Sequence, residues 1–342
     1  MSFNLGRRNF RPKLVGLVFA SALALVAGGV STSTAAGPFV PMAKASCDLS
    51  GKTIYWLSVL KGHPTLRLWQ QGFLDEAKKL GFKTATIAAP DDADWTKTVA
   101  LGEGILATKP DGLVLGFVDP AEKDLIAKFA KAKIPVAIGH VQVTPSQYPG
   151  VIAYAAFDPT VWGASAADAI GRKINGKGTV AITEGSFNVQ EDAVAASFTA
   201  EMHKHYPRVK VLAPAEEGFD PPKAIAKAAA ILLSHPDVVG AVSTTGAGPV
   251  TWAGAADQTG RTVYAIGPDA TRPNLDAVRS GKIFGIAAQP GYEEHEMAVD
   301  LVAQAICGKM PKKFANNLPA PIVLKDGLAP YYLIADKVDA RK

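Results

Sequence analysis

The sequence predicts an α/β protein of two similar lobes, each built on a parallel β-sheet. Three observations carry this. First, from residue 53 onward short buried apolar runs alternate with stretches of helical period, the pattern of βαβ units. Right-handed crossovers then place helices on both faces of each sheet. Second, residues 105–116 (ILATKPDGLVLG) and 231–242 (ILLSHPDVVGAV) share one design: a helix end, a Pro-Asp turn and a buried strand. Third, the stretch Thr262 to Pro290 reads as strand, turn, short helix, strand. Its first strand, Val263 to Ile266, stops at Gly267-Pro268-Asp269, and its second, Ile283 to Ala288, stops at Gln289-Pro290. An acidic side chain just past a strand's carboxyl end stands where open α/β sheets hold their ligands. Pro290 lacks the N–H a sheet ladder needs, so Gln289-Pro290 marks a crossing between lobes.

The elements follow in order. Thr53 to Val59 is a strand, and Lys61-Gly62-His63-Pro64 a loop. Thr65 to Leu80 carries Leu66, Trp69, Phe73, Ala77 and Leu80 on one helical face and ends at Gly81. Phe82 to Ala88 is a strand, Trp95 to Thr108 a helix and Asp111 to Gly116 a buried strand. Asp119-Pro120 is an N-cap followed by proline at the first helical position, opening a helix to about Lys133. Ile134 to Gly139 and Val151 to Ala155 are strands, and Asp158-Pro159 caps a helix that reaches Asn175. The second series continues with a strand at Thr179 to Thr183, a helix at Val189 to Tyr206, a strand at Val209 to Ala213 and a helix at Pro222 to His235. Val238 to Ser243 is its next strand, and a helix lies near Pro249 to Thr259. After Pro319 the expectation is one short strand, Ile322 to Leu324, and then a polar, mobile end.

Length and charge limit the function. A chain of 342 residues with 48% hydrophobic and 20% charged content has material for two cores. Arg7, Arg8, Arg11 and Lys13 precede an apolar run from Leu14 to Val30, and small residues follow, the order of a secretory signal peptide. Cleavage fits after Ala36 or after Ala45. Arg7-Arg8-Asn9-Phe10 resembles a twin-arginine signal, and an ordinary basic n-region is the simpler reading. At 17 residues, diluted by Gly and Ser, the apolar run is short for a permanent anchor. Five of the 36 basic residues and none of the 31 acidic ones fall within residues 1–45, so the rest of the chain is balanced in charge. That leaves no basic surface for nucleic acid. The two cysteines, Cys47 and Cys307, either form a disulfide, which an exported chain allows, or stay free.

Motifs for chemistry are absent. There is no G-x-S-x-G elbow and no dinucleotide fingerprint. Gly171 to Lys177 resembles the start of a phosphate loop, but Gly178 stands where Ser or Thr must hold magnesium, and the run closes a helix. His203 and His205 diverge on a helix, so no metal site is expected. Glu293, Glu294 and Glu296 around His295 read as first-turn carboxylates that offset the helix dipole. What is left is a set of polar and aromatic residues at strand ends: His63, Phe117, Asp119, His140, Phe187, Asn188, Asp192, Thr245, Asp269 and Gln289. A cleft between two lobes collects such residues from both sides, as a hydroxyl-rich ligand requires.

Several segments together resemble a family: GFLDEAKKLGF, KPDGLVLGF, AKIPVAIG, HPDVVGAV, AIGPDAT and SGKIFGIAAQPGYEEHEMA. The chain resembles the type I periplasmic solute-binding proteins of the ribose- and galactose-binding group, whose fold the effector domains of LacI-type repressors share. The resemblance implies two Rossmann-like lobes joined by a three-crossing hinge, residues 46–157 with 289–320 in the first and 158–288 with 321–342 in the second. It places Cys47 and Cys307 in one lobe, as a disulfide needs. The family's anchoring aspartate falls on Asp269 and its hinge glutamine on Gln289. Elsewhere the ligand set departs from the family. His63, Thr65 and Leu66 replace an asparagine and stacking phenylalanines, His140-Val141 replaces an Asp-Arg pair, Glu191 or Asp192 stands near a usual arginine, and Thr245 replaces an asparagine. The implied ligand residues are His63, Phe117, His140, Phe187, Asn188, Asp192, Thr245, Asp269 and Gln289. The implied function is capture of a sugar, polyol or other small polar solute in the periplasm, by a monomer that docks on ABC permease subunits, with no catalysis and no cofactor. A chemotaxis or sensor-kinase partner is the alternative.

Overall fold

The computed structural model describes residues 46–341, so the expected leader lies outside the described residues. Strands β1 (Thr53–Leu57), β2 (Thr84–Ala88), β3 (Gly112–Leu115), β4 (Val136–Gly139) and β5 (Val151–Phe157) belong to one sheet. Strands β6 (Gly178–Glu184), β7 (Val209–Val211), β8 (Ala215–Glu216), β9 (Val238–Ser243), β10 (Tyr264–Pro268) and β11 (Gly285–Ala287) belong to a second. The last two strands return one to each: β12 (Ala315–Leu318) beside β5, and β13 (Ile322–Val323) beside β11. The sheet orders are β12-β5-β4-β3-β1-β2 and β13-β11-β10-β9-β6-β7, with β8 also paired to β6. Every pairing is parallel except β11 with β13. The two orders superimpose position for position, and the repeated Pro-Asp segment supplies the fourth strand of each order, β3 and β9.

Ten helices connect these strands among the described residues: α1 (Pro64–Leu80), α2 (Trp95–Ala107), α3 (Lys123–Lys131), α4 (Pro159–Lys173), α5 (Val189–His205), α6 (Pro221–Ser234), α7 (Gly248–Thr259), α8 (Arg272–Arg279), α9 (Gly291–Ile306) and α10 (Ala329–Ala340). Their starts are written locally. Asp94, Asp158, Asn188 and Asp220 each accept a backbone N–H of the first turn, and proline sits early in α4 and α6. Asp119 and Glu122 form a capping box on a short 3-10 turn, Pro120–Glu122, that precedes α3. None of the described helices is long and apolar enough to cross a membrane.

The chain passes between the sheets three times: after β5, after β11 and after β12. Residues from all three passages pack together, with Phe157, Ala287 and Ala320 closing on Trp162 and Val194. The Ala288 N–H also donates to the Pro321 carbonyl at 2.9 Å, tying the second passage to the third.

Two expectations are corrected here. The end of the chain is α10, a packed helix. Its Tyr331, Ile334, Ala335 and Val338 fall at helical spacing and are buried. Ile334 and Val338 join the core of α1 and α9, while Tyr331 and Ala335 join the core of α8 and β11. Arg67 of α1 donates to the Val338 and Arg341 carbonyls (2.8 and 2.6 Å), and Tyr332 donates to Asp276 of α8 at 2.7 Å. The helix was masked in the sequence because Asp336, Lys337, Asp339 and Arg341 crowd a narrow apolar stripe. The second correction concerns α9. Glu293 and Glu294 do stand in its first turn, but the helix dipole is not the whole account: they and Glu296 are buried, since α9 lies between α1 and the first sheet.

The contact of α1 with α9 depends on one glycine. A Cβ on Gly72 would lie 2.0 Å from the Tyr292 carbonyl oxygen. The clash is with backbone, so it cannot be relieved by a rotamer. Gly72→Ala is expected to destabilise the fold by about 1–3 kcal/mol, read as a lower urea midpoint with an unchanged slope.

Buried acids also set a pH dependence. Burial pushes the Glu122 and Glu293 carboxyls up to about 8 and those of Glu217 and Glu296 up to about 7, from a usual 4.5. The folded state therefore binds more protons than the unfolded state between those limits, and stability falls as pH rises through the folded values. His295 acts oppositely. Burial brings it from 6.5 down to about 3, so its contribution is lost only as pH falls through that interval. Above pH 6.5 the carboxylates act without it, and Tm should decline between about pH 6.5 and pH 8. A flat or rising Tm over that interval would contradict this.

Candidate functional site

A cavity of about 590 Å³ opens between the two sheets. Its walls are the loops beyond the carboxyl ends of the parallel strands of both lobes, the place the topology of open α/β sheets reserves for ligands. The first lobe contributes His63, Thr65 and Trp69 at the start of α1, Phe117 after β3, His140 after β4 and Phe157 at the end of β5. The second contributes Trp162, Asn188, Glu191, Phe219, Thr244, Thr245 and Asp269, with Gln289 on the second passage.

Asp269 is held in an unusual conformation. Its φ is 70°, the left-handed region that a non-glycine residue rarely adopts. Asn274, fully buried, donates to the carbonyls of Gly246, Pro268 and Asp269 (2.9, 3.1 and 3.1 Å) and so fixes the turn. The carboxylate then reaches across the cleft, where Thr65 Oγ1 donates to Oδ2 at 2.7 Å. Gly246 makes room for it: a Cβ there would lie 2.4 Å from Oδ2. Burial pushes the Asp269 carboxyl up, against the Thr65 hydrogen bond and the nearby His140 and His63. Burial likewise brings the His63 imidazole down, despite the attraction of Asp269.

The first-lobe wall is aromatic. Trp69 lies 4.1 Å from His140, 4.9 Å from Phe117 and 5.2 Å from His295 between ring centroids, stacked on the last. His140 also has a left-handed φ of 71°, and its Nδ1 lies 2.9 Å from Glu294 Oε2 in a buried pair. The opposite face of this layer is set by His295, whose Nδ1 donates to the Gly291 carbonyl at 2.6 Å. Carbonyl oxygens only accept, so the proton sits on Nδ1 and Nε2 is bare.

The second-lobe wall is acidic. Glu191 accepts from the Gly185 N–H at 2.7 Å, from Thr244 Oγ1 at 2.5 Å and from Asn188 Nδ2 at 3.0 Å. Among the described residues no lysine or arginine lines the cavity.

Of the residues expected at the site, His63, Phe117, His140, Asn188, Thr245, Asp269 and Gln289 line the cavity, and Phe187 and Asp192 do not. Phe187 is 59% exposed, on the outer side of the turn before α5. Asp192 points one position around α5 from Glu191 and interacts with Glu184 instead. Asn188 is spent largely on structure: its Oδ1 caps α5 and its amide donates to Ser186 and Glu191. The Gln289 side chain makes no hydrogen bond to another described residue and is free to meet a ligand. Asp119 serves only its cap. Trp69, Phe157, Trp162 and Glu191 were missed as lining residues. Trp69 was read only as part of a core face, and its nearness to the start of α1, just after the His63 loop, was the available signal. No group of His, Cys, Asp and Glu suited to a metal occurs among the described residues.

Residues 54–310 match a family model described as a periplasmic binding protein domain. The chain belongs to this family. It is a family of binding proteins, not of enzymes. Solved structures agree in fold. A glucose-galactose binding protein from Geobacillus stearothermophilus is 23% identical, with 81% of this chain and 99% of that one covered and a TM-score of 0.69. An arabinose binding protein from the same organism is 20% identical, covers 82% and 99%, and has a TM-score of 0.74. An ABC transporter solute binding protein from Bacillus halodurans with bound myo-inositol is 19% identical, covers 83% and 99%, and has a TM-score of 0.71. A search of curated proteins returned no match. In this periplasmic binding protein a disulfide joins Cys47 to Cys307, with Cα atoms 5.5 Å apart.

Proposed function

We propose that this periplasmic binding protein captures a small sugar- or polyol-like solute in the cleft between its lobes and presents it to the membrane subunits of an ABC importer. The cleft supports the reading most directly. It joins both sheets, and its anchor Asp269 already spans the gap to Thr65. A ligand placed there touches both halves at once, so binding favours the closed arrangement over any open one. Aromatic rings on one side and fixed acceptors on the other suit a solute with an apolar face and a hydroxylated rim. The solutes held by the structural neighbours, arabinose and myo-inositol among them, are of this class. The leader at residues 1–45 is a cleaved export signal, and the protein works outside the cytoplasm. Asp269, Gln289, His63, Phe117, His140 and Thr245 contact the solute, with Trp69 and Trp162 added from the geometry.

The test is thermal unfolding of the purified protein against a panel of sugars, polyols and related solutes. A true ligand at a hundredfold excess over its Kd stabilises by about 2.7 kcal/mol. A panel without any shift would overturn the sugar or polyol assignment.

A further inference from the structure

The charges around the cleft narrow the class of ligand. Among the described residues two carboxylates, Asp269 and Glu191, line it, and no lysine or arginine does. Glu191 also sits in the field of two more buried acids, Glu184 and Glu217. Its own oxygens are already met by three donors, so it acts as background potential. Asp269 is different. It is 5% exposed, and its only hydrogen-bonded side-chain partner among the described residues is one neutral hydroxyl, Thr65. Two imidazoles lie near it: burial drives His63 toward its uncharged form, and His140 is engaged by Glu294 at 2.9 Å. A buried carboxylate without a cation is costly, and a cationic ligand group removes that cost.

One further feature faces the same space. Trp69, Phe117, Phe157, Trp162 and Phe219 line the cavity, and ring faces attract cations. Trp162 is fully buried beside the cavity, yet its Nε1–H has no acceptor among the described residues. The contrast is Trp252, whose Nε1 donates to Thr183 Oγ1 at 2.9 Å. Buried indole N–H groups are usually paired, so the bare Trp162 Nε1 is a local cost of the core beside the cavity, sealed from the cavity itself.

We propose that the preferred ligand is a small polyhydroxylated solute carrying a protonated amine, an amino sugar or amino polyol, with its ammonium paired to Asp269 beside the aromatic rings that line the cavity. This rests on reading the cleft as the solute site. Sugar acids are excluded, because they bring a carboxylate to a cleft where Asp269 and Glu191 already place two.

Calorimetry with matched sets separates the possibilities: glucose, galactose and mannose, each beside its 2-amino and its uronic-acid counterpart, at a mildly acidic pH that keeps the amine charged. The expected result is that an amino sugar binds about tenfold or more tighter than its neutral parent, and that no uronic acid binds. Asp269→Asn, of nearly equal shape, should erase most of that preference while lowering affinity for the neutral parent less. A neutral parent that binds as tightly as its amine, or any uronic acid that binds, overturns the inference and leaves the solute-site reading standing. Silence from every member overturns both.

Discussion

Asp269→Ala is expected to weaken ligand binding by about a hundredfold or more, since it removes a buried polar anchor whose partners are then left unpaired. Thermal unfolding reads this directly. At a ligand concentration a hundred times the wild-type Kd, stabilisation falls from about 2.7 kcal/mol to well under 1 kcal/mol. The unliganded variant should be no less stable than wild type. Alanine removes the desolvated carboxyl, a gain that offsets its poorer fit to the left-handed φ of 70° and the lost Thr65 hydrogen bond. That combination separates a binding anchor from a structural residue. Gly246→Ala gives an independent check, because its Cβ would lie 2.4 Å from Asp269 Oδ2 and push the carboxylate off Thr65 while the aspartate is still present. Equal ligand-induced shifts in wild type and Asp269→Ala would remove Asp269 from the site.

Loss of the Cys47–Cys307 disulfide is the largest expected effect on stability. The bond closes a loop with a sequence separation of 260 and ties the segment before β1 to the end of α9. The first sheet is assembled from chain segments on either side of β6 to β11 of the second. A cross-link between those segments removes more unfolded-state freedom than a short loop would. Cys307→Ser, or reduction of the native protein, should cost about 2–5 kcal/mol, seen as a drop in guanidinium midpoint. Leu49, buried beside Cys47, should lose its protection from hydrogen exchange at the same time. An unchanged midpoint under full reduction would show that the interface of α9 with α1 and the first sheet suffices without the bond.

The sequence by itself determined whatever depends on neighbours along the chain. The alternation of apolar runs and helix-period stretches led to parallel sheets because strand and helix periods are local properties. The Pro-Asp echo located β3 and β9 because a turn's chemistry is carried by its own residues. Asp158-Pro159 marked the start of α4 for the same reason, and Asp269 and Gln289 reached the cleft because strand ends in parallel sheets share one edge. Tertiary structure alone decided what depends on distant segments. Glu294 reads as a first-turn carboxylate of a helix, and only the fold brings it to 2.9 Å from His140. Phe187 and Asp192 lie beside residues that line the cleft, but the turn into α5 directs one outward and the helix rotates the other away. Trp69 and Trp162 carry the signature of core residues, and they are core residues. They also face the cavity because the two lobes meet there, a relation set by three separated chain passages. The same holds for α10, whose apolar stripe has meaning only once α1 and α8 stand side by side to receive it.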